Sequence, residues 1–405
     1  MGFAGLSRST GLLFICFLLF PLSRTLSADV WHSTGGIAFE PGPGSSMRFD
    51  EILERAAVLS PSERSQMLDS LLATLTGFPY IESDTVATFF YHGDAKDVAL
   101  ASDANGWDRT ADYLIRIPDT DVWFVQENLE SDARIEYNFI VNGKQPIVDP
   151  HGSYQFGSVS EVRMPKYFPP WEVEYLPDIP HGIMKDTVVT SGLLKESRPL
   201  RIYLPPNYVE AQSDSFGLAV FHDGSEFLSV GQARNVLDRL AYEHMTEPVV
   251  AVFVPPQHRK EEYVGTRTDD FAGFIASELV PVLSPRFRLK ADPKFHAVLG
   301  FSNGGNSALW IAQRFPSIFG NAASFSGNLT AGTIDAYRTT ASAPLRLYIE
   351  SGTYTDFLQE ALRFTNVARA QGHNLRFDVA HEGHSWANVR AHLRRALQFF
   401  FSPGN

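Results

Sequence analysis

One short stretch limits the possible folds more than any other. Phe295-His296-Ala297-Val298-Leu299 runs into Gly300-Phe301-Ser302-Asn303-Gly304-Gly305, and Asn306 to Arg314 continues with helical character. The apolar run reads as a fully buried strand. A chain that turns from strand to helix within so few residues leaves little room for side chains at the crossing, and the glycines at 300, 304 and 305 supply that room. Such a turn presents Ser302 at a helix N-terminus, where free N–H groups and the helix dipole favour a developing negative charge. The pattern is G-x-S-x-G. Five residues of this kind recur by chance; the strand before them and the helix after them give the match its weight.

The surroundings agree with that reading. From about residue 186, apolar runs at 200–204, 218–222, 249–254, 295–299, 322–326, 346–350 and 375–379 alternate with helical patterns, clearest at 271–283 and 357–370. Strands alternating with helices predict an α/β domain at 186–402, an open and mostly parallel sheet with helices on both faces. Residues 84–165 read differently. Short alternating runs at 86–91, 98–100, 113–117, 122–125 and 135–141 are separated by turn signals such as Asn105-Gly106 and Asn142-Gly143, which predicts an all-β sandwich. Trp107 and Trp123 in this region suit sugar stacking or, as large aromatics usually do, interior packing. Prolines 169, 170, 177 and 180 mark 166–185 as a linker.

Upstream, 29–83 reads as a linker followed by two short helices. Ser60-Pro61-Ser62-Glu63 is a helix start and Leu68, Leu71, Leu72 and Leu75 recur at helical spacing. Residues 1–28 read as a secretory signal: Arg8, an apolar Gly11–Leu22 core of about a dozen residues, then small residues at Ser27 and Ala28. The expected location is therefore exported, periplasmic or extracellular, with no stable membrane insertion after cleavage. Apolar residues at 44% and charged residues at 20% fit a folded soluble chain. A net charge of −12 argues against nucleic acid as a partner. The single cysteine, Cys16, lies in the signal core, which excludes a disulfide framework, a thiolate mechanism and a cysteine zinc site in the remainder.

A lone serine is a poor nucleophile and needs a base oriented by an acid. The base candidate is His384 in His381-Glu382-Gly383-His384-Ser385-Trp386, placed between the last strand and the final helix; His381 is its rival. The acid is expected after the 346–350 strand. Asp356 sits in that loop, and Glu350, on the strand itself, is the alternative. Oxyanion donors are expected from the backbone N–H of Asn303 and from Gly224 or Ser225, in the loop after strand 218–222. No metal and no organic cofactor is called for.

Residues 186–400 resemble an esterase family of the α/β-hydrolase fold that includes enterochelin esterase, feruloyl esterase and the S-formylglutathione hydrolases. The matching residues are Arg201-Ile202-Tyr203-Leu204-Pro205-Pro206-Asn207-Tyr208, Phe221-His222-Asp223-Gly224, Arg259-Lys260-Glu261-Glu262-Tyr263, Phe315-Pro316-Ser317-Ile318-Phe319-Gly320, Ser324-Phe325-Ser326-Gly327 and Gly383-His384-Ser385-Trp386. Residues 85–150 resemble the immunoglobulin-like N-terminal module of enterochelin esterases, glycogen-branching enzymes and isoamylases, through Asn105-Gly106-Trp107-Asp108 and Val148-Asp149-Pro150. The resemblance implies a Ser302–Asp356–His384 triad and a substrate site lined by Arg259 and Glu262. It implies a small-molecule or glycan ester substrate, such as a siderophore, feruloyl or acyl-glycan ester. Gly327-Asn328-Leu329 stands where enterochelin esterases tend to carry an aromatic pair, which weighs against a catecholate siderophore. The other readings are a serine peptidase of the prolyl oligopeptidase type, whose elbow also uses Ser-Asn-Gly-Gly, and a glycan-binding protein without catalysis.

Overall fold

The computed structural model describes residues 48–75, 77–206, 208–209, 215–340, 343–355 and 357–404. The signal reading at 1–28 and the acid candidate Asp356 lie outside the described residues.

Parallel strands covered by helices are buried on both faces, and their apolar residues alternate between two cores. Leu218, Val220, Val250, Val252 and Val298 enter one core, while Ala219, Phe221, Ala251, Phe253 and Leu299 enter the other. The strands of this region, numbered along the chain, are Ile183–Ser191, Glu196–Leu204, Gly217–His222, Val249–Val254, His296–Phe301, Asn321–Phe325, Arg346–Tyr354 and Asn374–Gly383. Their order across the sheet is 1-2-4-3-5-6-7-8. The first two pair antiparallel, and the rest of the sheet from Gly217–His222 onward is parallel.

Upstream, period-2 alternation builds a second unit. Phe89 and Trp123 point one way, into a core shared with Val98, Leu100, Ile135, Tyr137 and Phe139 of a facing sheet. Phe90, Val122 and Phe124 point the other way and bury Phe49, Ile52 and Leu68 of the helices Phe49–Val58 and Pro61–Thr74. A Ser60–Glu63 capping box starts the second of these helices. Trp123 is buried and its Nε1 donates to Gly93 O at 3.2 Å; Trp107 Nε1 donates to Asp103 Oδ1 at 2.9 Å.

The two units share one sheet. The strand Asn374–Gly383 runs on past residue 379, where the sequence pattern ends, and Glu382 bridges in parallel to Arg134 of the strand Arg134–Val141. The result is a 13-stranded sheet among the described residues. The sequence places 381–383 in a loop, because a strand whose pairing partners lie in two units has no single buried face to give it a period.

Candidate functional site

Ser302 sits between the strand His296–Phe301 and the helix Asn303–Arg314 with φ 59° and ψ −123°. Such a backbone angle is strained for a residue with a side chain. Four backbone contacts hold it. Ser302 N donates to Phe325 O at 2.9 Å, and Ser302 O accepts from Gly305, Asn306 and Asn328 at 3.0, 3.2 and 3.1 Å. The crossing needs glycine at 300, where a Cβ would lie 2.1 Å from Gly304 O.

The structure brings His384 to this serine: Nε2 lies 3.1 Å from Ser302 Oγ. The imidazole is stacked on Phe301 at 4.6 Å and packed against Phe357 at 4.7 Å. Burial, and then the nearby Arg259 charge, push its pKa down to about 4. Its Nδ1 has no hydrogen-bond partner among the described residues. His381, the rival base, instead meets Asp132 at 2.7 Å.

Asp356 itself lies outside the described residues; its neighbour Phe357 touches the imidazole. The alternative acid, Glu350, is buried and engaged elsewhere. It accepts from Asn388 Nδ2 at 2.8 Å and from Ser326 N and Oγ at 3.1 and 3.2 Å. Burial, with Glu382 adding to it, pushes its pKa up to about 8. Its hydrogen bonds go to these core partners and not to His384.

Asn303 opens its helix, so its N–H has no intrahelical acceptor. Asp223 adopts φ 49°, and Gly224 and Ser225 follow it as the first residues of the short helix Gly224–Ser229. This loop abuts the elbow: a Cβ on Gly304 would lie 2.9 Å from Asp223 Oδ2. Arg259 ties the two together. Its Nε and Nη2 donate to the Asp223 carboxylate at 2.7 and 2.8 Å, and Nη2 also reaches Phe301 O at 3.3 Å. Its side chain stays 40% exposed beside the serine.

Glu262 is not brought into the site. It is buried, with its carboxylate taken by Arg198 at 2.7 and 3.0 Å and by the N–H of His258 at 3.1 Å. Its position one turn along from Arg259 reads as a shared face in sequence, but the buried Arg198 claims it. Sequence reasoning also missed Arg134 and Asp103, which meet the histidine loop at Ser385 and Gly383. They carry no motif, and only the fold brings them near His384.

The strand order and the sharp strand-to-helix turn together define an α/β-hydrolase fold. Residues 191–400, just over half of the chain, match the family model described as "Putative esterase", and the chain belongs to that family. Among curated relatives, the endo-1,4-beta-xylanase/feruloyl esterase of Xylanibacter ruminicola is 24% identical over 271 residues, 63% of this chain and 36% of its own. The uncharacterized protein YbbA of Bacillus subtilis is 26% identical over 147 residues, 33% of this chain and 57% of its own. The chain thus spans less than two thirds of the length of either relative. Among solved structures, the enterobactin esterase FES of Shigella flexneri superimposes with a TM-score of 0.68 at 21% identity, covering 83% of this chain and 98% of that one. The ferulic acid esterase AmCE1/Fae1A of Anaeromyces mucronatus gives 0.51 at 16% identity, covering 59% and 97%. At these identities the likeness is one of fold. Among the described residues no helix is long and apolar enough to cross a membrane.

Two stability predictions follow from the buried carboxyls. Glu262→Ala leaves Arg198 charged, buried and short of its main partner, and is expected to cost about 3–5 kcal/mol in urea denaturation. Glu350, raised from 4.5 to about 8, keeps its proton in the folded state where the unfolded chain has released it. Its contribution is present below 4.5 and is lost as pH rises toward 8. The melting temperature of Glu350→Gln should therefore gain on that of the wild type between those values. A constant difference across the range would contradict the raised pKa.

Proposed function

We propose that this esterase is an exported serine carboxylic-ester hydrolase that works through an acyl-enzyme. The observation that carries the reading is the 3.1 Å approach of His384 Nε2 to Ser302 Oγ on a strained, glycine-lined turn. Ser302 Oγ attacks the ester carbonyl carbon while its proton passes to His384 Nε2. The carbonyl oxygen, now negative, takes hydrogen bonds from the backbone N–H of Asn303 and of Gly224 or Ser225. The C–O bond to the alcohol then breaks, and the imidazolium returns the proton to the departing oxygen. Water, deprotonated by the same imidazole, hydrolyses the acyl-serine.

Asp356 is the acid in this reading. Supporting it are Phe357, held against the imidazole, and Glu350, occupied in the core. It would accept from Nδ1–H and stabilise the imidazolium. Arg259, with Nε and Nη2 on Asp223 and its side chain 40% exposed, suits an acceptor on the substrate. The named relatives suggest a feruloyl or enterobactin-like ester as substrate, and an acyl-glycan ester is the further class the sequence reading allows. The export reading rests on the apolar, signal-like segment at 11–22.

Hydrolysis of short-chain nitrophenyl esters tests the assignment. Ser302→Ala should lose at least about a thousandfold in kcat, and Asp356→Asn about a hundredfold with little change in KM. A folded Ser302→Ala variant with wild-type turnover would end the reading.

The pH profile is a second check. A base must be neutral to work, and an imidazole pushed toward 4 is neutral well below the ordinary 6.5. The acid limb of kcat/KM is expected below that ordinary value. Arg259→Gln removes a neighbouring positive charge and should move the limb up; Asp356→Asn removes a negative one and should move it down. A limb that neither variant shifts would detach His384 from the rate.

A further inference from the structure

Directly behind His384 the chain meets the sandwich. Arg134, only 1% exposed, donates from Nη1 to Ser385 Oγ at 3.0 Å and lies 3.9 Å from Glu382 Oε2. Its Nη2 donates to Glu136 at 2.8 Å and to Glu161. Burial alone would pull this guanidinium down, but Glu136, Glu161 and Glu382 outweigh it and keep it charged. Asp103 presses from the same side: a Cβ on Gly383 would lie 2.1 Å from its carboxyl carbon. Asp103 is fixed in turn by the N–H of Glu136 at 2.7 Å and by Trp107 Nε1 at 2.9 Å.

These contacts fall on 382, 383 and 385, the residues that bracket His384 in the chain. Side chains on one strand and one turn of the sandwich thus grip both flanks of the histidine. The imidazole packs against two phenyl rings and meets Ser302 Oγ at 3.1 Å. The backbone at 383–385 carries the ring, so a hold on that backbone bears on where the imidazole sits.

We propose that Arg134 is a positioning residue for the ester hydrolysis, and that the sandwich, through Arg134 and Asp103, sets the distance from His384 Nε2 to Ser302 Oγ. The inference rests on the serine–histidine reading given under Proposed function. A displacement of about 1 Å in a proton-transfer pair is worth about a hundredfold in rate, so a grip on the flanking backbone is a grip on turnover.

The test uses the full chain with p-nitrophenyl acetate, and an alkyl fluorophosphonate that labels an activated serine in a single step. Arg134→Gln, checked for a cooperative melting transition, should lose at least tenfold in both kcat and labelling rate while KM stays within twofold. Arg134→Lys should recover part of the loss. A folded Arg134→Gln with kcat and labelling within twofold of wild type overturns the inference. Because Arg134→Gln leaves carboxylates unpaired, Gly383→Ala supplies a second route. The added methyl must push against Asp103, so kcat should fall at least tenfold, and Asp103→Ala in the same chain should restore at least half of the loss on a logarithmic scale. A fully active Gly383→Ala, or a loss that Asp103→Ala leaves in place, also overturns it. Wild-type protein that neither hydrolyses the ester nor labels at Ser302 overturns the serine reading and the inference together. Labelled wild type beside equally labelled variants removes the inference alone.

Discussion

The contact between Ser302 Oγ and His384 Nε2 joins side chains 82 positions apart, and three strands of the hydrolase sheet lie between them. The strands Asn321–Phe325, Arg346–Tyr354 and Asn374–Gly383 are laid down in order beside His296–Phe301, and each carries the chain one step further from the serine. The last strand runs long, to Gly383, and His384 directly after it meets Ser302. A change of one residue in the register of Arg346–Tyr354 against Asn374–Gly383 would turn His384 to the opposite face. The 3.1 Å distance is thus a readout of pairing across the whole half-sheet.

That long strand end brings a concentration of charge with it. Asp103, Glu136, Glu161 and Glu382 converge on the single buried guanidinium of Arg134. One positive charge cannot hold several carboxylates ionised at low dielectric. Burial raises Glu382 to about 7 and Asp103 to about 6, with the neighbouring carboxylates adding to both. Glu161 alone falls below its ordinary value, because Arg134 and Arg163 both reach it and outweigh burial. Buried clusters of this kind contribute little net stability but discriminate strongly between registers, since any other pairing strands a charge. At the junction of two units, where apolar surface would tolerate sliding, such discrimination sets where the histidine comes to rest.

Much of this was legible in the sequence because it is local. The elbow is written in consecutive residues, and Gly300 has to be glycine for reasons confined to Gly304. The alternation of strands and helices and the capping box at Ser60 are equally local. His384 was found because it stands between the last strand and the final helix, where this chain order puts the base. What escaped depends on distant chain segments. Arg134 reads as one polar position in an alternating strand, and nothing nearby announces that it bridges to Glu382. Glu262 looks like a partner of Arg259 until the fold supplies Arg198 from a strand 64 residues away. Trp107 reads mainly as packing, with a sugar platform as the other reading, and its bond to Asp103 belongs to a contact the sequence does not show.

Both reacting groups are held through main chain. Strain of about 1–3 kcal/mol at a non-glycine residue in this backbone region persists only where the surroundings over-determine it. Ser302 meets that condition with four backbone hydrogen bonds reaching three separate segments. His384 meets it by a different route, gripped at its neighbours by a unit that precedes the hydrolase strands in the chain. A unit serving that purpose is constrained at the strand that carries Arg134 and the turn that carries Asp103, as well as in the core it forms with the two N-terminal helices.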